Sequence, residues 1–217
     1  KTAALQEPYS DEPENKGKMN LTEQELESSV GQVLERGLQP TIHAMGDRAI
    51  DTILQVIEKA KEKARFRIEQ AAVLNPHLIK RLGAQDIVVS VQPGMVPTEF
   101  IVWHATEHLG AERAKWLHPL KTLINEGVKV AGGSDCPMEH LNPLLGIQDS
   151  VTRESYPEQR LTVEEALRAY TLDAAYCSGD EGLKGSIEEG KLADLTVLAS
   201  DPIAVEEGKI KNIVVTT

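Results

Sequence analysis

Apolar positions along the chain alternate between a strand-like run and a helical period of three to four residues. Four short apolar runs predict buried strands over residues 39–44, 66–72, 87–92 and 128–133. The intervening periodic segments predict helices over residues 22–37, from Ile50 toward Ala64, from Pro76 onward, around Leu120 to Ile124, and over 143–152 and 161–176. Strands that alternate with helices are typical of a parallel sheet covered by helices, either a doubly wound fold or a (β/α) barrel. Four such units are visible, whereas a closed barrel needs eight.

Local signals define several boundaries. Thr22 and Glu25 have the spacing of a capping box, and Thr162 with Glu165 repeats it. Gly179 is expected to end the last helix. Residues 1–18 are rich in Pro, Glu, Asp and Asn and predict an entering loop, whereas residues 185–198 and 210–215 predict short strands of an all-β appendage that is incomplete by itself.

Composition narrows the class of protein. The 217 residues suit one large domain, and the net charge of −11 argues against nucleic acid or an anionic membrane as a partner. Cys136 and Cys177 are 41 positions apart, which provides neither a disulfide framework nor a zinc knuckle and is compatible with a reducing cytoplasm. No run of 18 apolar residues exists, and the first residues lack the apolar stretch of a signal peptide, so we expect a cytoplasmic protein without membrane association.

Two polar side chains follow predicted strands. Asp135 lies two positions after the apolar run 128–133 and two before Pro137, and His43 is the penultimate residue of the run 39–44, before a glycine-containing loop. Either residue alone is more often structural than functional. The occurrence of both residues at strand ends favours a catalytic or ligand-binding role, because parallel-sheet enzymes concentrate catalytic groups at the carboxyl ends of strands. Imidazole and carboxylate suit zinc and related divalent ions, although a catalytic site needs about three protein ligands and these are two.

Other chemistries find less support. The sequence has no glycine-rich dinucleotide fingerprint, phosphate loop or nucleophile elbow. A nucleophilic Cys136 with His140 as its base is an alternative, because the two are four positions apart. Trp103 and Trp116 are expected to pack as part of an aromatic helix face.

The combination of several tracts resembles the amidohydrolase superfamily, in particular the large subgroup that includes N-substituted formamide deformylase. The tracts are residues 7–11 (EPYSD), 43–49 (HAMGDRA), 67–70 (RIEQ), 90–93 (SVQP), 133–137 (GSDCP), 144–147 (LLGI), 151–153 (VTR), 161–167 (LTVEEAL) and 185–194. The resemblance implies a (β/α)8 metallohydrolase barrel with a small β-sandwich domain. It implies His43 as the strand-five metal ligand and Asp135 as the strand-eight residue, which binds the metal and shuttles a proton.

The implied reaction is hydrolysis of a carbon–nitrogen bond in a small amide-like substrate by metal-activated water, most often with zinc and alternatively with iron or manganese. Gln70 stands where the family has a histidine ligand, so this third ligand is weak. Gln92 and His140 are placed where loops would line the substrate. A non-catalytic remnant or small-molecule binding module that has lost its metal is the alternative.

The resemblance also implies which part of the fold is present. The family's strand-one His-x-His pair and strand-four lysine have no counterpart, so residues 1–180 are expected to be strands five to eight of the barrel. Residues 181–217 are expected to form part of the sandwich domain. Half a barrel leaves open strand edges, so we expect a homodimer or association with the missing N-terminal half.

Overall fold

The computed structural model describes residues 1–60 and 64–217. The chain divides into two compact units: residues 1–89 with 104–128, and residues 90–103 with 129–217. The predicted domain boundary at residues 180 and 181 stays a prediction.

Four strands are formed: β1 (Thr41–Ala44), β2 (Phe66–Gln70), β3 (Ile87–Val91) and β4 (Lys129–Gly132). In the first unit β1 pairs with β2 in parallel, with His43 opposite Glu69, and β2 neighbours β3. In the second unit the end of β3 neighbours β4, and the Gly133 N–H donates to the Val91 carbonyl at 2.9 Å. The four predicted strands are therefore confirmed to within two residues at each end.

The helices are α1 (Glu23–Glu35), α2 (Asp47–Lys59), α3 (Pro76–Gly83), α4 (Met95–Pro97), a π-helix (Thr98–Val102), α5 (Ala105–Leu109), α6 (Ala111–Ala114), α7 (Leu120–Asn125), α8 (Pro143–Thr152), α9 (Val163–Tyr170) and α10 (Leu172–Ser178), with 3₁₀ turns at Pro157–Gln159 and Glu207–Asn212. The capping boxes of α1 and α9 form as predicted. Helix α2 buries its apolar face but ends earlier than predicted, because Ala60 is extended; residues 61–63 lie outside the described residues.

The predicted single helix over residues 161–176 is wrong in one respect, because it is interrupted at Thr171. This residue has φ −125° and ψ −91°, and its hydroxyl donates to the Leu167 carbonyl at 2.7 Å. A threonine side chain that takes a backbone carbonyl competes with helix continuation. The predicted stop is confirmed, since Gly179 adopts φ 78°.

The predicted C-terminal strands are also wrong. In the described part of residues 185–217, the β structure consists of one bridge between Leu198 and Val215. Ile210 instead lies in a 3₁₀ turn and is fully buried, and the Lys211 N–H donates to Gln148 of α8 at 3.2 Å. Packing on α8 therefore overrides the strand pattern of this segment.

The predicted N-terminal loop is confirmed and is fixed within the first unit. The Arg113 guanidinium donates to the carbonyls of Glu7 and Pro8 at 2.9 and 2.6 Å. Gly46 allows the loop to approach closely, because a Cβ at this position would lie 2.0 Å from the Ala4 carbonyl oxygen. The loop thus covers the start of α2, where the Gln6 N–H donates to Asp47 at 2.8 Å.

Within the described residues, no helix has both the length and the apolar character needed to cross a membrane.

Candidate functional site

His43 is an exposed residue of β1 in the first unit. Glu69 lies opposite it in the parallel register, so the two residues share one face of the sheet. Glu69 also forms an ion pair with Arg67, two positions earlier on β2. No role is predicted for Glu69 from the sequence; the available signal is its place in the tract 67–70 near the end of a predicted strand.

Gln70 ends β2 and is buried, with 5% of its surface exposed. Its φ of 76° and the φ of 45° at Ala71 are left-handed, and the Ala71 N–H donates to the Ala44 carbonyl at 2.9 Å. The strand therefore turns sharply where the family motif would place its ligand. The regular alternation of side chains between the two faces of the sheet ends at Gln70, because the backbones of Gln70 and Ala71 both leave the extended region.

Asp135 follows β4 in the second unit and is exposed. Its φ is 52°, a region in which Asp is enriched among non-glycine residues. The Met138 N–H donates to the Asp135 carbonyl at 2.8 Å, and the Cys136 N–H donates to Ser134 Oγ at 3.2 Å. These bonds define a tight turn that presents a carboxylate at the carboxyl end of the strand, as the sequence predicts.

A cleft of about 230 Å³ adjoins this turn within the second unit. Its lining includes Ser134, directly before Asp135, together with His140, Asn142 and Leu141. His140 Nδ1 accepts the Asn142 N–H at 3.1 Å, which fixes the imidazole at the cleft. The structure thus brings His140 to a cleft beside Asp135, and its predicted role in substrate binding stays a prediction.

Two groups on the cleft wall have shifted acidities. Burial raises the pKa of Asp149 to about 6, with Lys211 acting against the shift and Glu139 making a smaller contribution to it. Burial, with a contribution from Asp149, raises the pKa of the Tyr170 hydroxyl above its ordinary value. Asp149 was missed from the sequence; the available signal was its place as the single charged residue of the segment 143–152.

Gln92 follows β3 and is 4% exposed. Its side-chain Oε1 is buried and accepts no hydrogen bond from the described part of the chain. A buried acceptor that lacks a donor is costly, so a polar ligand or water group would lower the free energy of this position. Its assignment to substrate binding stays a prediction.

The donors for a metal are incomplete. Across residues 1–60 and 64–217 there is no group of three or more His, Cys, Asp or Glu side chains that could hold a metal ion. Cys136 is exposed and Cys177 is buried, and neither forms a disulfide in the described part of the chain. The nucleophile alternative has little geometric support, since His140 Nδ1 is already occupied by Asn142 and no hydrogen bond between Cys136 and His140 is found among the described residues.

Comparison with known proteins gives one consistent family. The sequence model of the amidohydrolase family matches residues 1–217. The protein YtcJ of Bacillus subtilis (strain 168) is 37% identical over 221 residues, which cover 97% of this chain and 41% of YtcJ. N-substituted formamide deformylase of Arthrobacter pascens is 30% identical over 192 residues, which cover 82% of this chain and 34% of that enzyme.

A solved structure agrees with the sequence relatives. The crystal structure of an uncharacterized metal-dependent hydrolase from Pyrococcus horikoshii OT3 superposes with a TM-score of 0.88 at 31% identity, covering 95% of this chain and 43% of that protein. The likeness confirms the predicted fold class, an α/β chain with a parallel sheet that matches part of a metallohydrolase. The chain spans less than half the length of each of these relatives.

Proposed function

Because the chain belongs to the amidohydrolase family, we propose that the protein is a metal-dependent hydrolase of a non-peptide carbon–nitrogen bond in a small amide-like substrate. The observation that carries the proposal is Asp135, whose exposed carboxylate is held by a tight turn at the carboxyl end of β4. The similarity to an N-substituted formamide deformylase and to an uncharacterized metal-dependent hydrolase supports the reaction class. Cys136 and Cys177 form no disulfide among the described residues, which supports a cytoplasmic location.

His43 and Asp135 are the residues proposed to hold the metal. A divalent ion, zinc in first place and iron or manganese as alternatives, would lower the pKa of a bound water to about 7. The described residues fit this group only in part, since they supply an imidazole and a carboxylate but no cluster of three strong donors. We therefore assign the remaining ligands to sequence that the longer relatives have and this chain does not span.

Asp135 is proposed to transfer a proton to the leaving nitrogen. An exposed carboxylate on a fixed turn can accept a proton and release it within hydrogen-bond reach of a substrate. His140, held by Asn142 at the cleft, and the buried carboxamide of Gln92 are proposed to orient the polar part of the substrate.

Gln70 provides the sharpest test of the metal assignment. We expect Gln70→His to raise zinc affinity by about tenfold or more, because imidazole replaces a weak carboxamide ligand. Histidine is also tolerated at the positive φ of this position. The matched control is Gln85→His, which adds an imidazole to an exposed residue before the start of β3. Zinc affinity is measured by equilibrium titration of both variants and the wild-type chain.

An equal response of the two variants would count against a metal site at the end of β2.

A second candidate function, a small-molecule binding module without metal, is favoured by Gln70 and by the incomplete donor set. It predicts that amides bind to the cleft with the same affinity in the presence of a chelator.

A further inference from the structure

The tract 151–153 contributes to the family resemblance but has no part in the proposed metal site. Its last residue, Arg153, caps the carboxyl end of α8 and is 4% exposed. An arginine is rarely buried to this extent unless its charge is compensated. Burial lowers the pKa of Arg153 to about 10, and the carboxylates of Glu158 and Glu99 act against this fall. Arg153 is therefore a buried cation that nearby carboxylates stabilise.

The groups around Arg153 belong to the π-helix after β3 and to the segment after α8. The Phe100 ring centroid lies 5.6 Å from the guanidinium carbon and 5.6 Å from the Tyr156 ring centroid. Glu99, next to Phe100, is also 4% exposed. The guanidinium Nε donates to the Ser155 carbonyl at 2.5 Å, which restrains the side chain. Arg153 thus joins the π-helix to the carboxyl end of α8.

The π-helix is linked in turn to the loops that follow β3 and β4 in the second unit. The Thr98 hydroxyl donates to Glu139 at 3.1 Å, and Glu139 lines the cleft together with His140. The Met95 N–H, just before the π-helix, donates to the Gln92 carbonyl at 3.0 Å. This segment therefore connects α8 to both residues that are proposed to orient the substrate.

The inner side chains of the π-helix carry its anchoring. Trp103, directly after it, is 44% exposed, so the expectation that this residue packs within an aromatic helix face is wrong. Glu99 and the Phe100 ring both interact with the guanidinium of Arg153. Residues of this chain already bury Arg153 and Glu99, and additional neighbours could only reduce their exposure further. The role of the pair can therefore be argued from this chain alone.

We propose that Arg153 is a positioning residue for substrate binding. Its cation holds the π-helix through Glu99 and Phe100, and the π-helix holds the loop that carries His140. Removing one partner of a buried pair leaves the other charge uncompensated, which is strongly destabilising. The π-helix should then open locally while the rest of the chain stays folded. The consequence for substrate orientation rests on the proposed function, whereas the contacts themselves require no metal.

Hydrogen exchange of backbone amides, followed by NMR without metal or substrate, tests this role. We expect Arg153→Met to speed the exchange of residues 95–103 by about tenfold or more, because loss of the buried cation favours local opening. Arg153→Lys should have a smaller effect, since lysine keeps the charge but not the planar guanidinium. The double variant Glu99→Gln/Arg153→Met should recover most of the protection, because it leaves no member of this pair charged and unpaired. A role of Arg153 in packing alone would not give this recovery.

The link to the cleft is tested at the amides of residues 138–142, in the loop after β4. Arg153→Met should speed their exchange as well. Thr98→Val removes the hydrogen bond to Glu139, so it should speed the exchange of residues 138–142 with a much smaller effect on residues 95–103. Unchanged exchange of residues 138–142 in Arg153→Met would overturn the link between the π-helix and the cleft.

The matched control is Arg168→Met, which removes an arginine of the same unit that pairs with Asp173 at 3.1 Å and should leave both segments unchanged. If circular dichroism shows that Arg153→Met does not fold, Glu99→Gln tests the same pair from the π-helix, with the same expected rise in exchange. Unchanged exchange of residues 95–103 in Arg153→Met, or equal losses of protection in Arg153→Met and the double variant, would overturn the positioning role.

The metal content of the same preparations separates this role from the proposed function. A wild type that binds metal, together with unchanged exchange in Arg153→Met, rejects the positioning role alone. A wild type without metal, together with the expected loss of protection in Arg153→Met, rejects only the metal-dependent reaction.

Discussion

Asp149, a half-buried carboxylate on the wall of the cleft, makes the stability of the fold depend on pH. It lies on α8, where burial raises its pKa to about 6, and Glu139 adds to the shift. The unfolded chain holds this group near the ordinary value of about 3.9. Between these two values the folded protein binds more protons than the unfolded one, so this group makes the free energy of unfolding fall as pH rises from about 4 to about 6.

We expect Asp149→Asn to abolish this contribution, since asparagine does not titrate. The variant should unfold at higher urea concentration than the wild type at pH 7 to 8, and the difference should disappear below about pH 4. Urea unfolding across this pH range measures it. Asp180→Asn is the control, because Lys184 lowers the pKa of Asp180 and its removal should give no gain at neutral pH. A wild-type pH profile retained by Asp149→Asn would contradict the account.

At the scale of elements, β4 and α9 meet at a glycine. A Cβ at Gly132 would lie 2.4 Å from the Tyr170 ring, whereas a Cβ at the adjacent Gly133 would find its nearest neighbour, the Val91 carbonyl oxygen, at 4.0 Å. We predict that Gly132→Ala lowers the free energy of unfolding by about 1–3 kcal/mol through overpacking. Gly133→Ala should stay within about 0.5 kcal/mol. Denaturant unfolding compares the free energy of unfolding of the two variants. Equal losses would show that the contact with the Tyr170 ring does not cause the destabilisation.

The capping of α9 gives a second prediction at this scale. The Thr162 hydroxyl accepts the Glu165 N–H at 3.2 Å, and the Glu165 carboxylate accepts the Thr162 N–H at 2.8 Å. Thr162→Ala should cost about 1 kcal/mol of stability, whereas Thr162→Ser should keep most of it because the hydroxyl remains. Thermal unfolding of the pair measures the cap, and equal destabilisation by both substitutions would assign the effect to packing instead.

Elements were predictable wherever a local signal decided them. The capping boxes at Thr22 and Thr162 and the stop at Gly179 set helix ends through contacts a few residues apart, which a sequence displays directly. The break at Thr171 and the 3₁₀ turn around Ile210 were not predictable, because one depends on a hydroxyl–carbonyl bond and the other on packing against α8. The same distinction holds for the site residues. Asp135 and His43 were predictable from their positions at strand ends, whereas the raised pKa of Asp149 depends on burial in the folded chain.

At the scale of the whole molecule, the C-terminal segment exposes apolar residues that a stable fold would cover. Leu195, Val197, Val214 and Val215 are each more than half exposed, and they lie in or beside the bridge between Leu198 and Val215. An isolated two-stranded ribbon is at best marginally stable in water. We predict that the 217-residue chain forms dimers at micromolar concentration and that Leu195→Lys/Val197→Lys shifts it to monomer. Light scattering coupled to gel filtration measures both, and a monomeric wild type would contradict the prediction.

We propose that His43 and Asp135 hold the metal of a metal-dependent hydrolase. The most direct measurement is the metal content of the purified chain by elemental analysis, for the wild type, His43→Ala and Asp135→Asn. We expect measurable zinc or iron in the wild type, below one equivalent because the remaining ligands are assigned to sequence outside this chain, and a clear loss in both variants. A wild type without metal, or a metal content unchanged by both substitutions, would contradict it.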